Sequence, residues 1–336
     1  MSNENSNDML ELASVEPTLP PDCIQATAES CKYRKREYVS ISSLCAFARC
    51  PRKYFYSSGC GLVSVAGDHT ALSFGEAIHR VLPLVTTAGL HAAIDEFSKI
   101  WVDREHDPLR TVQTAIGMLT NFAETHQSSN LYELIKPPPT NIQYERVSEY
   151  EVPFALALPG VPIPLVGRID GMCRRLDEGQ DSLADDGPIW ALEYKTGREV
   201  SSRLFDCFLI NPQVICYSMA LKVLTGREVR GTIVEALRVT STKTRNYETL
   251  ACPIYVLPHH YDMFVRWVQF QVGQLLAMES RNDFPQDVSA CTTYPQFGMP
   301  GFTCEYLSLC QFHEDWRNGL GAFAIKSRAP FVLQDT

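Results

Sequence analysis

Apolar and polar positions along the chain follow two rhythms, helical toward the N-terminal side and strand-like in the middle. Leu44, Phe47, Ala48 and Tyr54 or Phe55 mark a helix over Ser40 to Tyr56, with Ser42 or Ser43 as its cap. Pro51, beside Cys50, predicts a break or kink inside it. Ala71, Phe74, Ile78 and Val81 or Leu82 form one stripe of a helix over Ala71 to Leu82. Two further helical stretches, His91 to Glu105 and Leu109 to His126, are parted by Asp107-Pro108, and Pro137-Pro138-Pro139 closes the region.

From Asn141 the period shortens to that of strands: Tyr144 to Leu158, Ile163 to Leu176, Ile189 to Thr196, Val229 to Val239 and Tyr247 to Val256. The acidic, glycine-containing insert Asp177 to Gly187 reads as an exposed hairpin loop. A helix over Asn211 to Leu224 is entered through Asn211-Pro212 and ended by Gly226. Pro258 to Glu279 is a long amphipathic helix with Phe264, Val268, Val272 and Leu275 or Leu276 on its apolar face. Phe284 to Trp316 is irregular and carries Cys291, Cys304 and Cys310. Residues 1–35 read as a disordered acidic tail ending in a basic patch (Lys32, Arg34, Lys35). Residues 36–336 read as one α/β domain: helices over 36–136, a strand-rich core over 141–282 and a cysteine-bearing segment over 283–318.

Composition narrows the classes without choosing one. Of 336 residues 45% are hydrophobic and 21% charged, an ordinary globular balance with room for a sizeable core. No apolar run is long enough for a membrane span and the N-terminus is not signal-like, so a cytoplasmic location is expected. Twelve cysteines without a secretion signal then point to metal ligands or buried thiols rather than disulfides. A net charge of −9 argues against indiscriminate nucleic-acid binding but leaves room for a local basic groove. No Gly-x4-Gly-Lys-Ser/Thr phosphate loop is present, which excludes a motor of that type.

The candidate chemistry centres on Ile189-Trp-Ala-Leu-Glu-Tyr-Lys-Thr-Gly197. Alternation on a strand puts Glu193 and Lys195 on one face and Leu192 and Tyr194 on the other. Alone, this is an ion pair at a strand end. Gly167-Arg168-Ile169-Asp170 places a second carboxylate at a strand tip, before Gly171. Gly75 and His79 share a helical face, as do Gln213 and Tyr217. Singly these are turn formers, a structural histidine and the polar edge of a core helix.

In order, Gly75-x3-His79, Gly167-x2-Asp170, Glu193-x-Lys195-Thr196 and Gln213-x3-Tyr217 resemble the motif series of the RecB-like branch of the PD-(D/E)XK nuclease superfamily. The likeness extends to Cys50-Pro51-Arg52-Lys53-Tyr54-Phe55-Tyr56 and to the Cys304-x5-Cys310 ending, as in members with an iron–sulfur cluster. These include CRISPR-adaptation exonucleases, the AddB recombination nuclease and related phage nucleases. The resemblance departs from the commoner pattern in the long Cys291 to Cys304 spacing and in Glu rather than Asp at 193.

The resemblance implies a restriction-endonuclease-like core, a mixed sheet flanked by helices, and a metal-dependent DNA exonuclease. Asp170, Glu193 and Lys195 would be catalytic. Mg²⁺ or Mn²⁺ would be held by His79, Asp170, Glu193 and the Tyr194 carbonyl, a donor set suited to either ion. Gln213, Tyr217, Arg52, Lys53 and Arg198 would contact DNA. Cys50, Cys291, Cys304 and Cys310 would ligate a 4Fe-4S cluster stapling the two ends of the domain, with zinc as the alternative and Cys45 and Cys60 as rival ligands. Tyr54, Phe55 and Tyr56 read either as core or as a platform for single-stranded bases. Partners would be DNA and other recombination or CRISPR-adaptation proteins. A non-catalytic DNA-binding module or a zinc-stabilised structural subunit are the alternative functions.

Overall fold

In a computed structural model of the chain, residues 23–35, 37–65, 70–140, 142–143, 148–177, 187–240, 246–293, 302–326 and 332–333 are described. Strands β1 (Cys23–Gln25) and β2 (Val39–Ser40) precede helix α1 (Ile41–Arg49). The cap of α1 is Ser40, whose Oγ accepts the Ser43 N–H; Ser42 and Ser43 lie one turn inside. The break falls at Cys50, and α2 (Pro51–Tyr54) restarts at once because proline suits a first helical turn. After a wide turn over Phe55–Gly59 come β3 (Leu62–Ser64), α3 (Thr70–Thr87), α4 (Leu90–Ile100) and α5 (Val112–Ser129).

The middle of the chain supplies β4 (Tyr132–Ile135), β5 (Ile142–Gln143), β6 (Val152–Leu156), β7 (Leu165–Ile169), β8 (Gly171–Arg175) and β9 (Ile189–Gly197). Next come α6 (Ser202–Asp206), α7 (Pro212–Thr225), β10 (Val229–Arg238), β11 (Thr249–Tyr255) and α8 (Pro258–Arg281). The C-terminal part holds β12 (Thr292–Thr293), β13 (Phe302–Thr303), α9 (Leu307–Gln311), a 3₁₀ stretch over His313–Ala322, β14 (Phe323–Lys326) and β15 (Val332–Leu333).

The central sheet has the order β11-β10-β9-β8-β4 and is mixed. Only β9 and β10 run parallel, joined through α6 and α7; the other neighbours are antiparallel. A smaller sheet, β2-β7-β6, lies beside it. The segment Ile163 to Leu176, expected as one strand, is therefore two: β7 belongs to the small sheet and β8 to the central one. Asp170 is the single residue at the corner. A third sheet, β1-β14-β3, closes the two ends of the chain on each other. The tail expected to run to residue 35 thus pairs its residues 23–25 with β14.

Strand alternation divides the interior. Ile189 and Ala191 of β9 face a core with Val214 and Leu221 of α7, Val268 of α8 and Leu44 of α1. Trp190, Leu192 and Tyr194 face a second core with Phe74 and Ile78 of α3, Phe97 of α4 and Phe122 of α5. Complete burial of each such phenylalanine contributes roughly 1.5–3 kcal/mol. Tyr54, Phe55 and Tyr56 are buried and stack with Phe284, Tyr306 and Trp316, so they are core and not a base platform. Among the described residues no helix is long and apolar enough to cross a membrane.

Candidate active site

The C-terminal end of β9 gathers side chains from both layers. Gly75 of α3 packs against Thr196 so closely that a Cβ there would lie 2.9 Å from the Thr196 Oγ1. Absence of that Cβ lets α3 settle on the strand, and His79, one turn further on, arrives at its edge. Its Nδ1 lies 3.5 Å from the Asp170 Oδ2. The same Oδ2 accepts the Tyr194 N–H at 2.8 Å, so the corner between the two sheets is tied to the middle of β9.

Glu193 points from the other face toward α7. Its Oε1 accepts from the Lys195 ammonium and, at 3.1 Å, from the Gln213 Nε2. Gln213 sits in the first turn of α7, which Asn211 caps and Gly226 ends in a left-handed conformation. Its amide also donates to the Tyr217 hydroxyl at 2.7 Å. Tyr217 is only 5% exposed and is supported by Phe154 at 5.9 Å between ring centres. That ring in turn lies over Gly167, its cross-strand partner, where a Cβ would come within 2.5 Å of it. Gly167, which reads from sequence as a turn former, is a packing residue. Tyr217, expected at DNA, holds Gln213 from behind.

The electrostatics are unbalanced toward negative charge. Burial pushes Glu193 up to about 7, the Asp170 charge adds to this, and Lys195 and His79 pull against it. Burial also raises Asp170, against the Tyr194 N–H, Lys195 and Arg168. Burial lowers His79 to about 4, so the imidazole is neutral at physiological pH. Its Nε2 is buried without a hydrogen-bond partner. With the ring proton on Nδ1, next to Asp170, Nε2 presents a bare lone pair. Two desolvated carboxylates and an unsatisfied imidazole nitrogen are donors that a divalent cation accepts. As they stand, no three His, Cys, Asp or Glu side chains among the described residues are set around a common ion. The Lys195 ammonium is paired with Glu193.

Sequence reasoning passed over several neighbours. Arg168, two residues from Asp170, contributes positive charge to His79 and Asp170 and pairs with Glu151 at 3.3 Å. Behind Tyr194, its hydroxyl and that of Tyr132 are hydrogen-bonded, Tyr132 donates to the buried Glu235, and His126 meets the other Glu235 oxygen at 2.8 Å. The signal for this chain of polar groups was a lone carboxylate in the apolar run of β10.

The remaining expected contacts lie elsewhere. Arg52 packs over Phe55 and lines a small cavity with Cys310, while Lys53 pairs with Glu305 at 3.4 Å. Both stand at the cysteine corner. Arg198 is exposed just past β9. Lys243 and Arg245, two further basic residues between β10 and β11 that could face DNA, fall outside the described residues. Cys50, Cys291, Cys304 and Cys310 come together: burial and the nearby thiols of the other three push Cys310 up to about 11. The Cys304 N–H donates to the Cys291 carbonyl at 2.8 Å, and the Asp287 N–H points at the Cys50 sulfur at 3.5 Å. The rival Cys45 lies near Cys216, and Cys60 is hydrogen-bonded to Cys31.

No curated protein matches the chain. A solved structure from Eubacterium rectale named "Putative exonuclease" is similar at 11% identity and a TM-score of 0.43, over 82% of this chain and 88% of its own. The PD-(D/E)XK nuclease superfamily matches residues 38–311, from just before β2 to the end of α9. That span takes in every residue gathered at the end of β9, and the chain belongs to the PD-(D/E)XK nuclease superfamily.

Proposed function

We propose that the protein is a metal-dependent deoxyribonuclease, an exonuclease of the RecB-like branch, with a 4Fe-4S cluster at Cys50, Cys291, Cys304 and Cys310. The observation that carries the nuclease reading is the meeting of His79, Asp170, Glu193 and Lys195 at the end of β9, with the buried His79 Nε2 left without a hydrogen-bond partner. His79 Nε2, the two carboxylates and the Tyr194 carbonyl would hold Mg²⁺ or Mn²⁺. When bound, such an ion supplies charge neutralisation at the phosphate and a water of lowered pKa.

The chain's own groups do the rest. Asp170 accepts the Tyr194 N–H and so sets the orientation of the peptide that follows Glu193. Lys195, on the same strand face as Glu193, would hold the attacking water and meet charge developing on the phosphate. Gln213, held by Tyr217, keeps Glu193 oriented beside the place the DNA backbone would occupy. The cysteine corner would clamp the α1–α2 junction to the segment from Cys291 into α9, and its thiols suit iron–sulfur or zinc ligation. Incubating anaerobically purified protein with end-labelled single- and double-stranded DNA and Mn²⁺ or Mg²⁺ tests the reading. Cation-dependent release of nucleotides from ends is expected; inactivity on both substrates with both ions refutes it.

A further inference from the structure

Eleven residues after Lys195 the chain leaves α6 at Asp206 and turns through 207–211 into α7. Both ends of this loop are fastened to the catalytic pair. On one side the buried Phe208 ring lies 5.9 Å beneath the Lys195 ammonium. On the other, Gln213 donates to Glu193 at 3.1 Å. The turn between them is closed by its own backbone: Phe208 N–H to the Phe205 carbonyl at 2.9 Å and Asn211 N–H to the Phe208 carbonyl at 3.3 Å. Asn211 then caps α7 through the Gln213 N–H at 2.8 Å.

The tip of this clamped turn is Leu209-Ile210, exposed at 54% and 62%. Among the described residues it is the one place where two consecutive large aliphatic side chains are both exposed. Single exposed apolar residues need no explanation, but a rigid pair at the rim of a reaction centre is different. Consecutive Cα atoms are about 3.8 Å apart, so Leu209 is one step from Phe208 and Ile210 within about 11 Å of Gln213. Phe208 under Lys195 and Gln213 against Glu193 thus fix the tip close to the pair, within reach of the bases that adjoin a phosphodiester placed there. Aliphatic side chains offer nothing to phosphate oxygens; they pack on base faces, and inserted between base pairs they unstack them. The exposed Arg198 and Arg203 stand nearby in sequence as cations for the backbone.

Resting on the nuclease reading above, we propose that Leu209 and Ile210 form a wedge that opens the terminal base pairs of duplex DNA and feeds one strand to Glu193 and Lys195. The substrate class is then a duplex end, handled as a frayed single strand. The test compares the intact protein, the Leu209→Ser/Ile210→Ser variant and a Leu209→Met/Ile210→Met control. Three substrates of one sequence are used with Mn²⁺: a blunt duplex, the same duplex with mismatched terminal pairs, and the single strand.

The serine variant should lose about tenfold or more on the blunt duplex while holding within about twofold on the single strand and the mismatched end. The methionine control should stay near the intact protein on all three. A 2-aminopurine at the duplex end should brighten with the intact protein and not with the serine variant. Equal losses on all substrates, or no loss on any, overturn the wedge. An intact protein that cuts single strands and leaves duplex ends untouched overturns it as well. A serine variant of altered oligomeric state in gel filtration, with unchanged cleavage preference, marks the pair as a protein interface instead. If the intact protein cuts no DNA, the nuclease reading itself falls; if it cuts duplex ends with an unchanged preference in the variant, only the wedge does.

Discussion

Glu193 and Lys195 are held together because the strand has only one place to put them. Alternation sends both to the α7 face, and burial makes each the other's nearest partner. Replacing Lys195 with Ala removes the proposed stabiliser of phosphate charge, and cleavage should fall on the order of 10²–10³-fold with the fold retained. Glu193→Ala and Asp170→Ala should abolish cleavage outright, read by end-labelled DNA digestion beside a thermal melt. Full activity in Glu193→Ala would refute the assignment of the site. His79→Ala should weaken cation binding, measured by titration calorimetry, because it deletes a buried ring nitrogen at the site that has no hydrogen-bond partner. Tyr217→Phe keeps the buried ring but deletes the hydroxyl that holds Gln213. A hydrogen bond of that kind is worth about 1 kcal/mol, so a loss of about fivefold in cleavage is expected, with cation affinity unchanged.

Helix α3 owes its position to an absence. Adding a methyl group at an exposed helix position normally stabilises it, since glycine costs about 1 kcal/mol relative to alanine in a helix. At Gly75 the sign reverses, because the new Cβ would lie 2.9 Å from the Thr196 Oγ1 and push α3 from β9. Gly75→Ala should lower cleavage by shifting His79, and the added change Thr196→Ala should restore part of it. Additive effects of the two changes in a double-mutant cycle would rule out this contact as the cause.

The turn before α5 offers a separate test. Asp107 accepts the Leu109 and Arg110 N–H groups and pairs with the Arg110 guanidinium at 2.6 Å. Burial alone would push its carboxyl up, but these partners overcome burial and hold it below the ordinary carboxylate range. A lowered folded value means that stability is present above the unfolded value and lost as pH falls through the folded one. Asp107→Asn should therefore cost about 1.5–3 kcal/mol near neutrality in urea unfolding. The difference should vanish in strong acid; a cost independent of pH would show that the charge is not its source.

At the scale of the molecule, both ends of the domain meet twice. The β1-β14-β3 sheet joins residues 23–25 and 62–64 to 323–326, and the cysteine corner joins Cys50 to the segment around Cys291, Cys304 and Cys310. A cluster bridging parts so distant in sequence restricts the unfolded chain and so favours the folded one. Anaerobically purified protein should be brown, with about four irons per chain. Serine at any of the four positions should bleach it and loosen the α1–α2 junction, whereas Cys45→Ser and Cys60→Ser should leave the colour. Stoichiometric zinc without iron would replace the cluster with a zinc site.

Local pattern sufficed for much of this protein. The periods of two and near four located the long helices and strands β9, β10 and β11 of the central sheet, because burial of one face imposes its repeat on the sequence. Pro51, Asn211 and Gly226 marked a break, a cap and a stop, since backbone limits act within a few residues. The order of His79, Asp170, Glu193, Lys195 and Gln213 was legible as well. Short elements such as β4, α6 and β14 were not, because four or five residues carry too little period to stand out from the loops around them. Tertiary structure alone decided that Asp170 stands at a corner between two sheets and that Gly75 and Gly167 are glycines for packing. It also turned Tyr217 inward behind Gln213, and Arg52 and Lys53 toward the cysteines. Those outcomes depend on which surfaces meet across long stretches of chain, and no local repeat encodes the side chain waiting on the other side.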